Sequence, residues 1–342
     1  LKNWIVMVNT GTARLFLVAV ILMATGLISG PVQSAEPIQM GIMTGGPKGT
    51  YYQFGLNVQN LITTEGIELR VDNSNGSVEN IYSVYQKPET QLGVVQSDVL
   101  AFVSQVQTNP VLKRIAQKTK MVFPLYNEEI HLLGKKDIND FDYLADKKVA
   151  IGKEGSGTYL TAKLLFKVAG FEPAEMMTIG TDEALDQLKA GTIDAMFYVA
   201  GYPVKLFSEN VTPEDNLRLI PILNKSILEF YPQAEIPAGT YTWQDMAVIT
   251  AAVKAVLISY DFRRYHCDTV GRVAKIIYEN FDWLKENGHP KWKSVDLNYP
   301  LKGWEQYECV KKYLADARRK PSRPASVNIN PVLDAIKEMI PE

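Results

Sequence analysis

The sequence predicts an α/β fold of two similar lobes, each with a mainly parallel sheet, and a cleft between them. Three observations carry this. Short apolar runs alternate with helical periodicity along the chain, as repeated β-α units require. Two glycine-rich turns, each joining a strand to a helix, stand at matching places, with Gly49-Thr50-Tyr51 and Gly157-Thr158-Tyr159 108 residues apart. A length of 342 residues is enough for two medium cores.

Residues 1–35 read as a secretory leader, with Lys2 and Arg14 as their only charges and a near-continuous apolar run from Leu15 to Ile28. That run is short for a membrane span, which needs about 20 residues. The small residues that follow suit cleavage near Ala35, and the absence of a nearby Cys argues against a lipid anchor. From Glu36 onward 34 basic residues face 38 acidic ones, a formal charge of −4. Such a chain has no electrostatic footprint for nucleic acid.

Ile38 to Met43 reads as a strand and is followed by the turn Thr44-Gly45-Gly46-Pro47-Lys48-Gly49. Phe54, Val58, Leu61 and Ile62 then fall on one helix face. Ile67 to Val71 is the second strand, Asn73 to Ser77 a turn opening a second helix, and Leu92 to Val95 the third strand. Met121 to Tyr126 and Ile130 to Leu133 read as two extended segments suited to a hinge. The pattern restarts with a strand at Lys148 to Ile151, a turn at Gly152 to Gly157, and a helix ended by Gly170. Ile193 to Tyr198 and Leu217 to Ile222 are further strands, the latter as a return strand. Met246 to Tyr260 reads as an apolar helix, and the chain from Tyr265 onward as helical, with a last short helix near 331–340. The expected division is a first lobe over 36–125 and a second over 126–225. Residues 226–342 are expected to return to the first lobe and add C-terminal helices.

Both turns combine a helix start, with its unpaired N–H donors and partial positive charge, with glycines that let a ligand approach the backbone. That chemistry suits a carboxylate or phosphate at the carboxyl ends of the strands. The P-loop and dinucleotide patterns are absent, and no Gly-x-Ser-x-Gly elbow stands in a nucleophile setting. His131, His266 and His289 lack the spacing of a zinc site, so no metal or other cofactor is expected. Cys267 and Cys309 are the only cysteines, and the sequence leaves open whether they pair.

Three ordered motifs, Thr44-Gly45-Gly46-x-x-Gly49-Thr50-Tyr51-Tyr52, Asn75 to Asn80 and Val95-Gln96-Ser97-Asp98, resemble the first half of the TAXI receptors. Gly155-Ser156-Gly157-Thr158, Asp194 to Gly201 and Ile236 to Tyr241 resemble the second half. These are solute receptors of a subclass of tripartite ATP-independent periplasmic (TRAP) transporters. The resemblance implies a type II periplasmic-binding fold and a receptor that is not an enzyme. It implies a ligand such as glutamate, 2-oxoglutarate or a related carboxylate, and delivery to TRAP membrane subunits from an extracytoplasmic location. A monomer is expected. The competing readings are a periplasmic sensor partner and an enzyme on the same fold.

The expected ligand-binding set is Thr44, Gly45, Gly46, Gly49, Thr50, Tyr51, Asn75, Ser77, Gln96, Ser97, Ser156, Gly157, Thr158, Tyr198 and Gly201. Ser156 suits either a helix cap or a ligand donor. Lys48 and Lys153 either add charge for a dicarboxylate or stay solvated at the rim, and Asp98 either orients a ligand amine or caps a helix. Tyr52 and Asn80 are further candidates, whereas Trp283, Trp292 and Trp304 are expected to pack.

Overall fold

The computed structural model describes residues 37–105, 108–263 and 265–315, so the expected leader and the helix near 331–340 lie outside it. The first lobe opens with β1 (Ile38–Met43), α1 (Thr50–Ile62), β2 (Ile67–Asp72), α2 (Ser77–Gln86), β3 (Leu92–Gln96), α3 (Ser97–Gln105) and α4 (Pro110–Lys118). The long strand β4 (Thr119–Lys135) leads to β5 (Lys148–Ala150), α5 (Gly157–Ala169), β6 (Glu175–Met177), α6 (Thr181–Lys189) and β7 (Ala195–Ala200). Then come α7 (Lys205–Asn210), β8 (Leu217–Leu219), α8 (Lys225–Phe230), β9 (Gln233–Ile236) and β10 (Val248–Tyr260). The described chain closes with α9 (Tyr265–Glu279), α10 (Phe281–Asn287) and α11 (Glu308–Leu314).

The sheet order is β2-β1-β3-β10-β4-β7-β5-β6, with β8 added to β4 and β9 to β10. β2, β1 and β3 run parallel at one end, and β7, β5 and β6 run parallel at the other. Between them β10 and β4 pair antiparallel along both lobes, from Tyr260 opposite Thr119 to Ala252 opposite Glu129. Beyond that pairing β10 meets β3 in the first lobe, and β4 meets β7 in the second.

Burial follows strand position. The edge strand β2 alternates, burying Ile67 and Leu69 while Glu68 and Arg70 face water. The central strand β3 is buried throughout, as expected of a strand covered on both faces. The same physics corrects two expectations. Met246 to Tyr260 holds a 13-residue strand, not a helix, because a strand buried on both faces shows no period of two. The two hinge segments are parts of one 17-residue strand, β4, whose polar interruption at Asn127-Glu128-Glu129 is largely buried.

Each lobe has an aromatic centre. In the first, Phe54 of α1 stacks on Trp292 at 4.2 Å and tilts against Tyr126 at 4.5 Å. In the second, Phe166 stacks on Phe141 at 5.1 Å and meets Phe197 edge-on at 5.7 Å. Each such fully buried side chain contributes roughly 1.5–3 kcal/mol. Ile227, Tyr231, Ile236 and Tyr241 pack in the second lobe's cores before β10 returns to the first. Trp292 and Trp304 pack as expected, whereas Trp283 is 40 % exposed. Cys267 of α9 and Cys309 of α11 form a disulfide, with Cα atoms 5.6 Å apart.

Candidate functional site

A cavity of about 430 Å³ lies between the lobes at the carboxyl ends of their strands. Four helix starts open on it. Gly49-Thr50 begins α1 and Gly76-Ser77 begins α2, from the first lobe; Gly157-Thr158 begins α5 and Gly180-Thr181 begins α6, from the second.

The four ends differ in how far the protein satisfies them. The N-caps of α1, α2 and α6 are glycines with no side-chain cap, whereas Ser156 caps α5 by accepting from Tyr159 N at 3.1 Å. The first turn of α2 carries Glu79, and that of α6 carries Asp182 and Glu183, which offset the partial positive charge. The first turns of α1 and α5 carry no acid. The strongest pole for an anion therefore lies where the two glycine-rich turns meet.

The lobes touch closely around the cavity. Gly157 approaches the other lobe so nearly that a Cβ there would overlap the Gln96 amide and stand 2.9 Å from Ser77 Oγ. Gly76 holds φ 120 and ψ −151, a conformation open essentially to glycine alone, and it faces the Gly157 backbone. Thr50 Oγ1 donates to the carbonyl of Gly201 at 2.5 Å, and Thr161 Oγ1 donates to Asp98 Oδ2 at 2.7 Å. At the mouth Lys48 pairs with Asp182 at 2.5 Å, an exposed contact worth about 0–1 kcal/mol.

Of the expected residues, Gly45, Gly46, Gly49, Thr50, Tyr51, Asn75, Ser77, Gln96, Ser156, Gly157, Thr158 and Tyr198 line the cavity. Three do not. Thr44 is fully buried and its hydroxyl donates to Asp72 O at 2.7 Å, tying β1 to β2. Ser97 accepts from Lys254 N at 3.1 Å, tying the end of β3 to β10. Gly201 packs on the Tyr126 ring, leaving no room for a Cβ, and its carbonyl is engaged by Thr50. Tyr52 also stays out of the cavity, and Asn80 is spent on the carbonyls of Thr44 and Val94. Lys153 lines the wall. Asp98 is a buried link between lobes, with burial pushing its carboxyl up to about 6.

The sequence reading missed Glu128. It lies on β4 where that strand passes between the lobes, 1 % exposed yet lining the cavity. Tyr51 Oη donates to its Oε2 at 2.5 Å, and its Oε1 takes no hydrogen bond among the described residues. Burial raises its carboxyl well above the usual carboxylate range, and Asp98 and Glu129 add to the rise. The adjacent Glu129 points away and pairs with Lys291 at 2.6 Å, both side chains 5 % exposed. Gly180 to Glu183 was missed as well, although glycine before Thr-Asp-Glu is a recognisable helix start.

No His or Cys lines the cavity among the described residues. His131 is held in the second lobe between Glu129 O and Tyr241 Oη, and burial lowers it to about 3, so it is neutral. No group of side chains with metal-ligand character occurs among the described residues.

Residues 42–303 match the NMT1-like family. The chain belongs to that family. Among solved structures, the periplasmic binding protein BugD is similar at 10% identity and a TM-score of 0.54, over 89% of this chain and 98% of that one. MatC from Rhodopseudomonas palustris, with bound malate, is 16% identical over 84% of this chain and 96% of that one, at a TM-score of 0.51. A protein of Bordetella bronchiseptica RB50 is 16% identical over 91% and 92% of the two chains, at a TM-score of 0.52. This member of the NMT1-like family thus has the two-lobed fold of periplasmic binding proteins, of type II.

Proposed function

We propose that the chain is an exported solute receptor that closes its lobes on a small carboxylate or amino acid of the glutamate or 2-oxoglutarate class. It delivers that solute to the membrane subunits of a TRAP-type transporter. The observation that carries the reading is the pair of acid-free helix starts, α1 and α5, opening from opposite lobes on one cavity. A carboxylate between them takes hydrogen bonds from both lobes, so its binding favours the closed form. The cavity volume suits a small metabolite. The malate held by MatC is in keeping with a carboxylate, and the TAXI-like motifs and leader with delivery outside the cytoplasm.

The expected site residues take these roles. The backbones of Gly45, Gly46, Gly49 and Gly157 surround the carboxylate, with Thr50, Ser77, Gln96, Thr158 and Tyr198 as polar walls. Asn75 orders the α2 start by bonding Glu79 at 2.8 Å. Binding rather than turnover is the better reading, because no His or Cys lines the cavity among the described residues and Tyr51, whose phenol burial keeps neutral, is engaged with Glu128.

Mass spectrometry of the solute released from the purified protein, with a thermal-shift screen of amino acids, organic acids and sugars, tests this. A carboxylate that co-purifies and raises the melting temperature is the expected result. Stabilisation by sugars or simple cations alone would refute it. Small-angle scattering with and without that solute should show compaction on binding.

A further inference from the structure

The two glutamates at the crossing of β4 are treated differently by the fold. Glu129 has its cation inside the protein, in Lys291. Glu128 is as deeply buried, and no Lys or Arg lies within ion-pair distance of it among the described residues. Ionising a buried carboxyl without a cation beside it is costly, and proteins normally pair such groups. The one polar partner, Tyr51, engages a single oxygen, and the residue borders the cavity that holds the anion pole. The cavity therefore has two chemical ends: N–H donors at the starts of α1 and α5, and an acceptor at Glu128.

Building on the carboxylate reading above, we propose that Glu128 determines specificity by accepting hydrogen bonds from the ligand's protonated amino group while the helix starts hold its carboxylate. The solute is then an amino acid in preference to the acid that lacks the amino group. Charge-assisted bonds of this kind are the strong ones. The groups facing Glu128 are Tyr51, Tyr126, Tyr198, Asp98, Glu129 and the more distant Lys291. Burial keeps the phenols neutral, and Lys291 is committed to Glu129. An incoming ammonium thus meets no competing cation at Glu128.

The test uses matched pairs that differ only in the amino group: glutamate and glutarate, alanine and propionate, phenylalanine and 3-phenylpropionate. Titration calorimetry on the full protein and on Glu128→Gln, with a melting curve of each, gives the affinity ratio within each pair. The wild type should prefer the amino acid of at least one pair by about 10- to 100-fold, and Glu128→Gln should bring that ratio close to one. Equal affinity within every pair for the wild type overturns the proposal and leaves the carboxylate reading standing. So does an unchanged ratio in a folded Glu128→Gln. Binding of no member of any pair by the wild type overturns the carboxylate reading as well. The wild-type ratio decides even if the variant does not fold.

Discussion

Two faces of one strand segment, three main-chain bonds apart, show how differently a fold can treat the same side chain. Glu129 and Glu128 are neighbours on β4, so the pleat sends them to opposite sides. On the Glu129 side the charge is committed: Lys291 reaches Oε1 at 2.6 Å and the Tyr202 ring centre lies 3.7 Å from the ammonium, although the buried Oε2 has no hydrogen-bond partner among the described residues. On the Glu128 side one hydroxyl is the carboxyl's only hydrogen-bond partner among the described residues, and the residue borders the cavity. The first arrangement is a structural ion pair, and the second leaves the acid open to a guest. Burial alone does not separate the two roles; what separates them is whether the counter-charge comes from the chain.

The sharpest way to break this comparison is to remove the counter-charge. Lys291→Met strands Glu129 and should cost about 3–5 kcal/mol of stability in urea unfolding. Adding Glu129→Leu to it should restore most of that loss, whereas adding Glu128→Leu should not.

Asp98 sharpens the comparison through pH. Burial raises its carboxyl from 3.8 to about 6, so the folded state holds the proton more tightly than the unfolded chain. The stability this gives is fully present below about pH 3.8 and is lost as the pH rises through about 6. Asp98→Asn removes that slope. The wild type should lose of the order of 2 kcal/mol relative to the variant between pH 4 and pH 7 in paired unfolding curves. Because Asp98 also helps to raise the Glu128 carboxyl, the variant should lower the pH at which Glu128 ionises.

Tyr51→Phe takes away the internal donor of Glu128 and should cost about 1–2 kcal/mol in thermal unfolding while leaving the Glu129 side untouched. The smallest effect is expected from Ser156→Ala, about 1 kcal/mol of stability, because its hydroxyl serves Tyr159 N. Calorimetry should show that variant retaining solute affinity, since the loss falls on the helix and frees an N–H at the α5 start.

The β-α units were legible in the sequence because their signals are local. The strand at Ile38 to Met43, the face made by Phe54, Val58 and Ile62, and the stop at Gly170 with φ 76 all appear where the sequence puts them. Both glycine-rich turns border one cavity, and twelve of the fifteen expected residues line it. The signals that failed are non-local. β10 reads as a helix because a strand covered on both faces is apolar without alternation. Thr44, Ser97 and Gly201 stand inside the right motifs, yet their polar atoms are used to tie strands or lobes together. Glu128 is invisible to a rule that puts acids on the surface. A clue did exist: two adjacent glutamates between apolar runs cannot both face water on one strand.

The ribbon of β4 and β10 has outer neighbours on either side of the crossing, β3 beside Ala255 to Ile258 and β7 beside Glu129 to Gly134. Around Asn127-Glu128 the β4 strand has neither of those outer neighbours. Any pivoting of the halves therefore shifts the surroundings of one particular carboxyl. Its infrared C=O stretch is a label-free gauge of pivoting, already present in the polypeptide.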